Sequence, residues 1–139
     1  MEAVIDTNVF LYAAVEEMPP RHRKAFELLH SPPSLEKWIV PTIVIYEVVW
    51  NFRKLGFSSE EARELVEQIV EDERTKLVDD RRYLIKAFET LQSLSLTHYN
   101  DSVLLTIATE VGGVLATYDK KLRKRAKKLG IKLLPEVVE

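Results

Sequence analysis

The sequence predicts an α/β fold in which a parallel β-sheet is flanked by helices on both faces. Three observations lead there. Short apolar runs alternate along the chain with longer segments of helical period. No tight-turn pair joins two of those runs into a hairpin, so consecutive strands must be linked through helices and run parallel. The chain has 139 residues, 46% of them hydrophobic and 30% charged, which suits one compact domain spanning residues 1–139, without repeats or linkers.

Ala3 to Ile5 is a short apolar strand, followed by Asp6-Thr7-Asn8 and then by Val9, Phe10, Tyr12 and Ala13 at the start of a helix. Pro19-Pro20 breaks that helix, a second runs from about Arg21 to His30, and Ser31-Pro32-Pro33-Ser34 forms a loop. Trp38-Ile39-Val40 reads as the next strand, ended by Pro41. Thr42 caps a helix that runs to about Leu55 and stops at Gly56. Ser58 and Glu61 have the spacing of a capping box, with Ala62, Leu65, Val66, Ile69 and Val70 behind them at helical intervals. Thr75 to Val78 is a brief strand cut off by Asp79-Asp80, and one of these acids caps a helix with Leu84, Ala87, Phe88, Leu91 and Leu94 on one face. Asn100 opens a helix that buries Leu104, Ile107, Ala108 and Val111 and ends at Gly112. Val114 to Thr117 is a strand, Asp119 opens a basic helix closed by Gly130, and Ile131 to Leu134 is the last strand.

The chain has no cysteine, which excludes disulfide frameworks, thiolate nucleophiles and Cys-ligated metals. The N-terminus lacks the basic start and apolar stretch of a secretory signal. The longest apolar run, Trp38 to Trp50, is too short to span a bilayer and is interrupted by Pro41 and Glu47. A soluble cytoplasmic protein with no membrane partner is expected. Net charge is −2, yet its distribution is uneven: Glu60 to Asp80 holds nine acids, whereas Lys120 to Lys132 holds eight Lys or Arg and no acid. That basic run is either a solvated helix face or a phosphate-binding edge.

In parallel sheets ligands bind beyond the carboxyl ends of the strands, so acids placed there are the first candidates for chemistry. Asp6 and Asp119 each follow an apolar strand, Asp101 lies in the first turn of a helix, and Glu47 interrupts the apolar run Ile43 to Trp50. Capping alone explains any one of the three aspartates. Glu47 is different, since the helix around it is apolar nearly all round and therefore expected to be buried. There a carboxylate needs a cation such as Arg53, hydrogen-bond donors or a water-filled cleft. Asn51, four residues on, shares its face. Four crowded carboxylates without thiols repel one another unless a hard divalent cation holds them, and Mg²⁺ or Mn²⁺ fits oxygen ligands. Asn8, Asn100 and Thr117 are short polar neighbours able to orient water at such an ion.

Val4-Ile5-Asp6-Thr7-Asn8-Val9, the Glu within the apolar helix after the second strand, Tyr99-Asn100-Asp101-Ser102 and Leu115-Ala116-Thr117-Tyr118-Asp119 before a basic helix together resemble a PIN domain over essentially the whole chain. The likeness extends to the VapC-type toxin ribonucleases of prokaryotic toxin–antitoxin pairs. The resemblance implies an Mg²⁺- or Mn²⁺-dependent endoribonuclease whose catalytic and metal-binding acids map onto Asp6, Glu47, Asp101 and Asp119, with Thr117 as an accessory. It also implies a homodimer held inactive by an antitoxin protein. Lys120, Lys121 and Lys124 are the expected RNA contacts.

Four other readings compete, the last of them a non-enzyme. A histidine-driven ribonuclease would use His22, His30 or His98 and ignore chelators. A receiver domain would need a Lys where Thr117-Tyr118-Asp119 stands, and a haloacid-type phosphatase would need a second Asp where Asn8 stands. The non-enzyme alternative is a catalytically silent PIN scaffold that binds RNA or a protein partner, with some of Phe10, Tyr12, Trp38, Trp50, Phe52 and Phe57 lining the interface.

Overall fold

A computed structural model describes residues 1–16, 21–31 and 35–138. The expected break at Pro19-Pro20 and the prolines of the loop at 31–34 lie outside the described residues. Strand β1 (Glu2–Ile5) leads into helix α1 (Thr7–Ala14) and α2 (Arg21–His30), then β2 (Lys37–Pro41), α3 (Thr42–Lys54), α4 (Ser59–Glu71) and β3 (Thr75–Val78). A 3₁₀ turn (Asp80–Tyr83), a short helix α5 (Ala87–Leu91) and a second 3₁₀ turn (Leu96–His98) precede α6 (Tyr99–Glu110), β4 (Val114–Ala116), α7 (Lys120–Lys128) and β5 (Lys132–Leu134).

The five strands among the described residues form one sheet in the order β3-β2-β1-β4-β5, and each of their pairings is parallel. Ile5 aligns with Ala116 and Pro41 with Val78, so the carboxyl ends of β1, β2, β3 and β4 make one edge. Ala3, Val4 and Ile5 are all fully buried although successive strand residues point to opposite faces, so helices cover β1 on both sides. The sheet is built outward from β1 in both directions, which leaves a crevice between β1 and β4 where the strand order reverses.

The capping box at Ser58 and Glu61 is present in both directions, and Leu65 and Ile69 are the buried stripe of α4. Gly56 and Gly112 take positive φ after α3 and α6, where a side chain would be strained. Two expectations need correction. Residues 79–95 do not form one amphipathic helix: they break into the 3₁₀ turn and the five-residue α5, which ends at Gln92 with φ 53°. Tyr83, Ala87 and Leu91 face the core, while Leu84, Phe88 and Leu94 are exposed. Nor is α3 buried all round. Val44, Val48 and Phe52 pack inward, whereas Tyr46 is 70% exposed, with Val49 and Trp50 beside it in solvent.

Candidate active site

Asp6 is the first residue past β1, and its N–H donates to the carbonyl of Ala116 at the end of β4, which seats it in the crevice where strand order reverses. It is also the N-cap of α1: Oδ1 accepts the Thr7 N–H at 2.8 Å. Its other oxygen accepts from the Thr117 hydroxyl at 2.7 Å and the Asn8 amide at 3.1 Å. Asn8 in turn accepts the Tyr118 N–H, and Thr117 Oγ1 accepts from Asn8 and from the Asp119 N–H. The hydroxyl of Thr117 is therefore satisfied as donor and twice as acceptor, and one network ties the end of β1 to the end of β4. Capping and site-building are the same act here.

Glu47 is half-buried on α3 and reaches toward α1, where its Oε1 accepts from the Thr7 hydroxyl at 3.2 Å. Arg53 is not its partner; that guanidinium lies over the Trp50 ring at 5.0 Å. Asn51 donates to the backbone carbonyl of Glu47 rather than to its carboxylate. Asp101, half-buried in the first turn of α6, lies within the favourable fields of Arg125 and His98. Asp119 is exposed and caps α7, with Oδ1 accepting from the N–H groups of Lys121 and Leu122.

The electrostatics link these acids. Burial pushes the Asp6 carboxyl up from 3.8 to about 7; the Thr117 hydroxyl opposes this, and the charges of Glu47 and Asp101 add to it. Burial also raises Glu47, opposed by the Thr7 hydroxyl and reinforced by Asp101 and Asp80. Asp101 rises through burial and then through Asp119, against Arg125 and His98. The four carboxylates thus lie within mutual electrostatic reach, in the chain Asp119, Asp101, then Asp6 and Glu47. They do not form a closed cage: among the described residues no three Asp, Glu or His side chains are grouped tightly enough to hold a metal ion as they stand.

The donor set still fits a hard cation. All the donors are oxygens, burial and then the neighbouring carboxylates make Asp6 and Glu47 resist ionising, and Mg²⁺ is commonly held by only one or two carboxylates with several waters retained. Charge on these acids is what such an ion would relieve.

Other side chains at this edge carry no local sequence signal. Thr42 does not cap α3 as expected: it is the first helical residue and its hydroxyl donates at 2.9 Å to Asp80 Oδ2, which also accepts the Ile43 N–H at 2.7 Å and so caps that helix from a distance, leaving the preceding Asp79 to cap the 3₁₀ turn. Thr7 bridges to Glu47 across forty residues of sequence. Arg125 reaches from α7 to the Ser102 hydroxyl at 2.8 Å, beside Asp101. The histidines form no catalytic pair with one another: His22 contacts the Tyr12 carbonyl, His30 contacts Arg74, and His98 lies near Asp101.

With this geometry in view, a family model described as the PIN domain matches residues 3–128. No curated protein matches the chain.

Proposed function

The chain belongs to the PIN domain family, whose members are generally metal-dependent nucleases, and from that premise we propose that it is an Mg²⁺- or Mn²⁺-dependent endoribonuclease. The observation that carries the proposal is the buried Asp6 carboxyl at the reversal of strand order, pinned by Thr7, Asn8 and Thr117 and pushed to about 7 beside two further carboxylates. Asp6, Asp101 and Asp119 would hold one cation, and Glu47 a second ion or its waters. When bound, such an ion polarises a phosphoryl oxygen and lowers the pKa of water. Asn8 and Thr117 fix the direction in which Asp6 presents its free lone pairs, and the hydroxyl of Thr7 does the same for Glu47. Lys120, Lys121 and Lys124 supply phosphate contacts.

The finer reading is a VapC-like cytoplasmic toxin, dimeric and restrained by an antitoxin. The exposed apolar face of α3, Tyr46, Val49 and Trp50, supports self-association. A cavity of about 570 Å³ between α1, α2 and α4, with Phe10, Phe26, Leu65 and Ile69 in its wall and Glu64, Glu67 and Glu71 around them, suits an apolar and basic segment of a partner protein. No described helix is long and apolar enough to cross a membrane.

Labelled single-stranded RNA incubated with Mn²⁺ or Mg²⁺, with chelator, and with the Asp6→Asn and Asp101→Asn variants tests the proposal. Cleavage is expected to leave 5′-phosphate and 3′-hydroxyl ends, to stop with chelator, and to drop roughly 100-fold or more in either variant. Chelator-resistant cleavage or cyclic phosphate ends would move the chemistry to a histidine. RNA that is bound but never cut with Mn²⁺ would mark the chain as a silent scaffold.

A further inference from the structure

Helix α7 and the segment after β5 enclose a groove of about 330 Å³. Lys120, Lys124 and Lys127 line it at helical spacing, so three cations stand on one face of α7. The opposite wall is the chain at 136–138, including Glu136 and the exposed Val137. That wall is held in place by Arg123, which is buried and donates to the carbonyls of Pro135 at 2.5 Å and Glu136 at 3.2 Å, while its other nitrogen donates to Thr117 O at 2.8 Å. One guanidinium therefore ties the groove wall to the strand end that positions Asp6. Lys120, Lys124 and Lys127 have no carboxylate partner among the described residues, and Glu136 is the one acid among the described residues lining the groove.

Along α7 the groove runs from Lys120, the residue after Asp119, two turns on to Lys127. Seven residues of helix cover about 10 Å, room for roughly three phosphates at the ~3.4 Å axial spacing of a stacked strand. The N-terminal end of the α7 dipole adds to the field of the lysines. An isolated solvated helix face would spread its cations outward without a second wall; here three unpaired lysines share one concavity whose first lining residue, Lys120, follows the catalytic candidate Asp119 in sequence.

We propose that the groove between α7 and residues 136–138 is the track for the sugar-phosphate backbone of the RNA strand on one side of the scissile bond, with Lys120, Lys124 and Lys127 as its phosphate ligands. The proposal rests on the nuclease reading and refines it: Lys127 lines the track, whereas Lys121 does not. Recognition is of backbone charge, so binding is indifferent to sequence and strongly dependent on salt.

The test is fluorescence anisotropy with a labelled 12-nucleotide single-stranded RNA in EDTA, so that binding is read without cleavage, on the full chain and two double variants. Lys124→Ala with Lys127→Ala removes two track ligands; Lys37→Ala with Lys128→Ala removes the same charge from exposed positions outside the groove. Thermal melts of all three proteins confirm folding. The track pair is expected to weaken binding about 10-fold at low salt and to reduce the slope of log K against log salt by about 1.4, at ~0.7 per single-strand phosphate contact. The control pair should stay within about twofold. Equal weakening by both pairs, or an unchanged slope in the track pair, overturns the proposal. So does a polyglutamate peptide that binds the same lysines more tightly than RNA of equal length, which would make the groove a protein-docking site. Loss of the track with cleavage intact sinks this inference alone; RNA held in the track but uncut with Mn²⁺ sinks the nuclease reading alone.

Discussion

Replacing Asp6 by Asn should stabilise the metal-free protein at alkaline pH while abolishing its chemistry. In the fold Asp6 holds its proton up to about 7, against 3.8 for the free side chain. Between those values the native state keeps a proton that the unfolded chain has released, so stability is highest below about pH 4 and falls as pH rises through about 7. The full gap corresponds to about 4 kcal/mol at ~1.4 kcal/mol per pH unit. Asn removes that penalty and keeps the oxygen that accepts from Thr7. Its amide, however, meets the Asn8 amide and the Thr117 hydroxyl where Oδ2 accepted both, a mismatch of about 1–2 kcal/mol. At pH 8 the variant should therefore be about 2 kcal/mol more stable in chelator, a rise in Tm of roughly 8 °C at ~4 °C per kcal/mol. At pH 5, where most of the penalty is still unexpressed, the two proteins should melt within a few degrees. Thermal melts at pH 5 and 8 with EDTA, repeated with Mn²⁺, are the assay. Mn²⁺ at ~100 times its Kd should raise the wild type at pH 8 by about 2.7 kcal/mol and leave the variant little changed. Equal destabilisation of the variant at both pH values would refute the reasoning, because Asp6 would then be an ordinary helix cap with no stored repulsion.

Two further outcomes follow from the same geometry. Arg123→Met should cost about 3 kcal/mol in urea unfolding, because it strands the carbonyls of Thr117, Pro135 and Glu136 that the buried guanidinium satisfies; a loss under 1 kcal/mol would show that water serves them equally well. Thr117→Val keeps the shape but deletes the hydroxyl that donates to Asp6 and accepts from Asn8 and the Asp119 N–H. It should cost about 2 kcal/mol and weaken Mn²⁺ binding by calorimetry roughly 10-fold or more, whereas unchanged metal affinity would reduce Thr117 to a structural link.

Much of the architecture was legible because it is local. The strands at 3–5, 38–40 and 75–78 are short apolar or alternating runs with clear stops, and Ser58 with Glu61 announces α4 directly. The segment at 79–95 misled because helical spacing of Leu84, Phe88 and Leu94 says that they could share a face, not that anything covers it. The same limit applies to α3, whose apolar run suggests burial though Tyr46, Val49 and Trp50 meet solvent. At the site, the placing of Asp6 and Asp119 after strands was readable, since capping and strand-end position leave the same signature. The partners were not. Thr7 on Glu47, Asp80 on the N-terminus of α3 and Arg125 beside Asp101 depend on how distant elements pack, and no spacing rule encodes them. Lys127 rather than Lys121 lines the groove, and only the returning segment after β5 decides which lysines do.

The most direct measurement is anomalous diffraction from crystals equilibrated with Mn²⁺ near pH 8. A peak is expected at the carboxyl edge of the sheet, between Asp6 and the acids of α6 and the α7 cap, with Asp101 and Asp119 drawn toward it. A saturating Mn²⁺ concentration that leaves that edge without a peak, the Asp6 carboxyl still bound only to Thr7, Asn8 and Thr117, would contradict it.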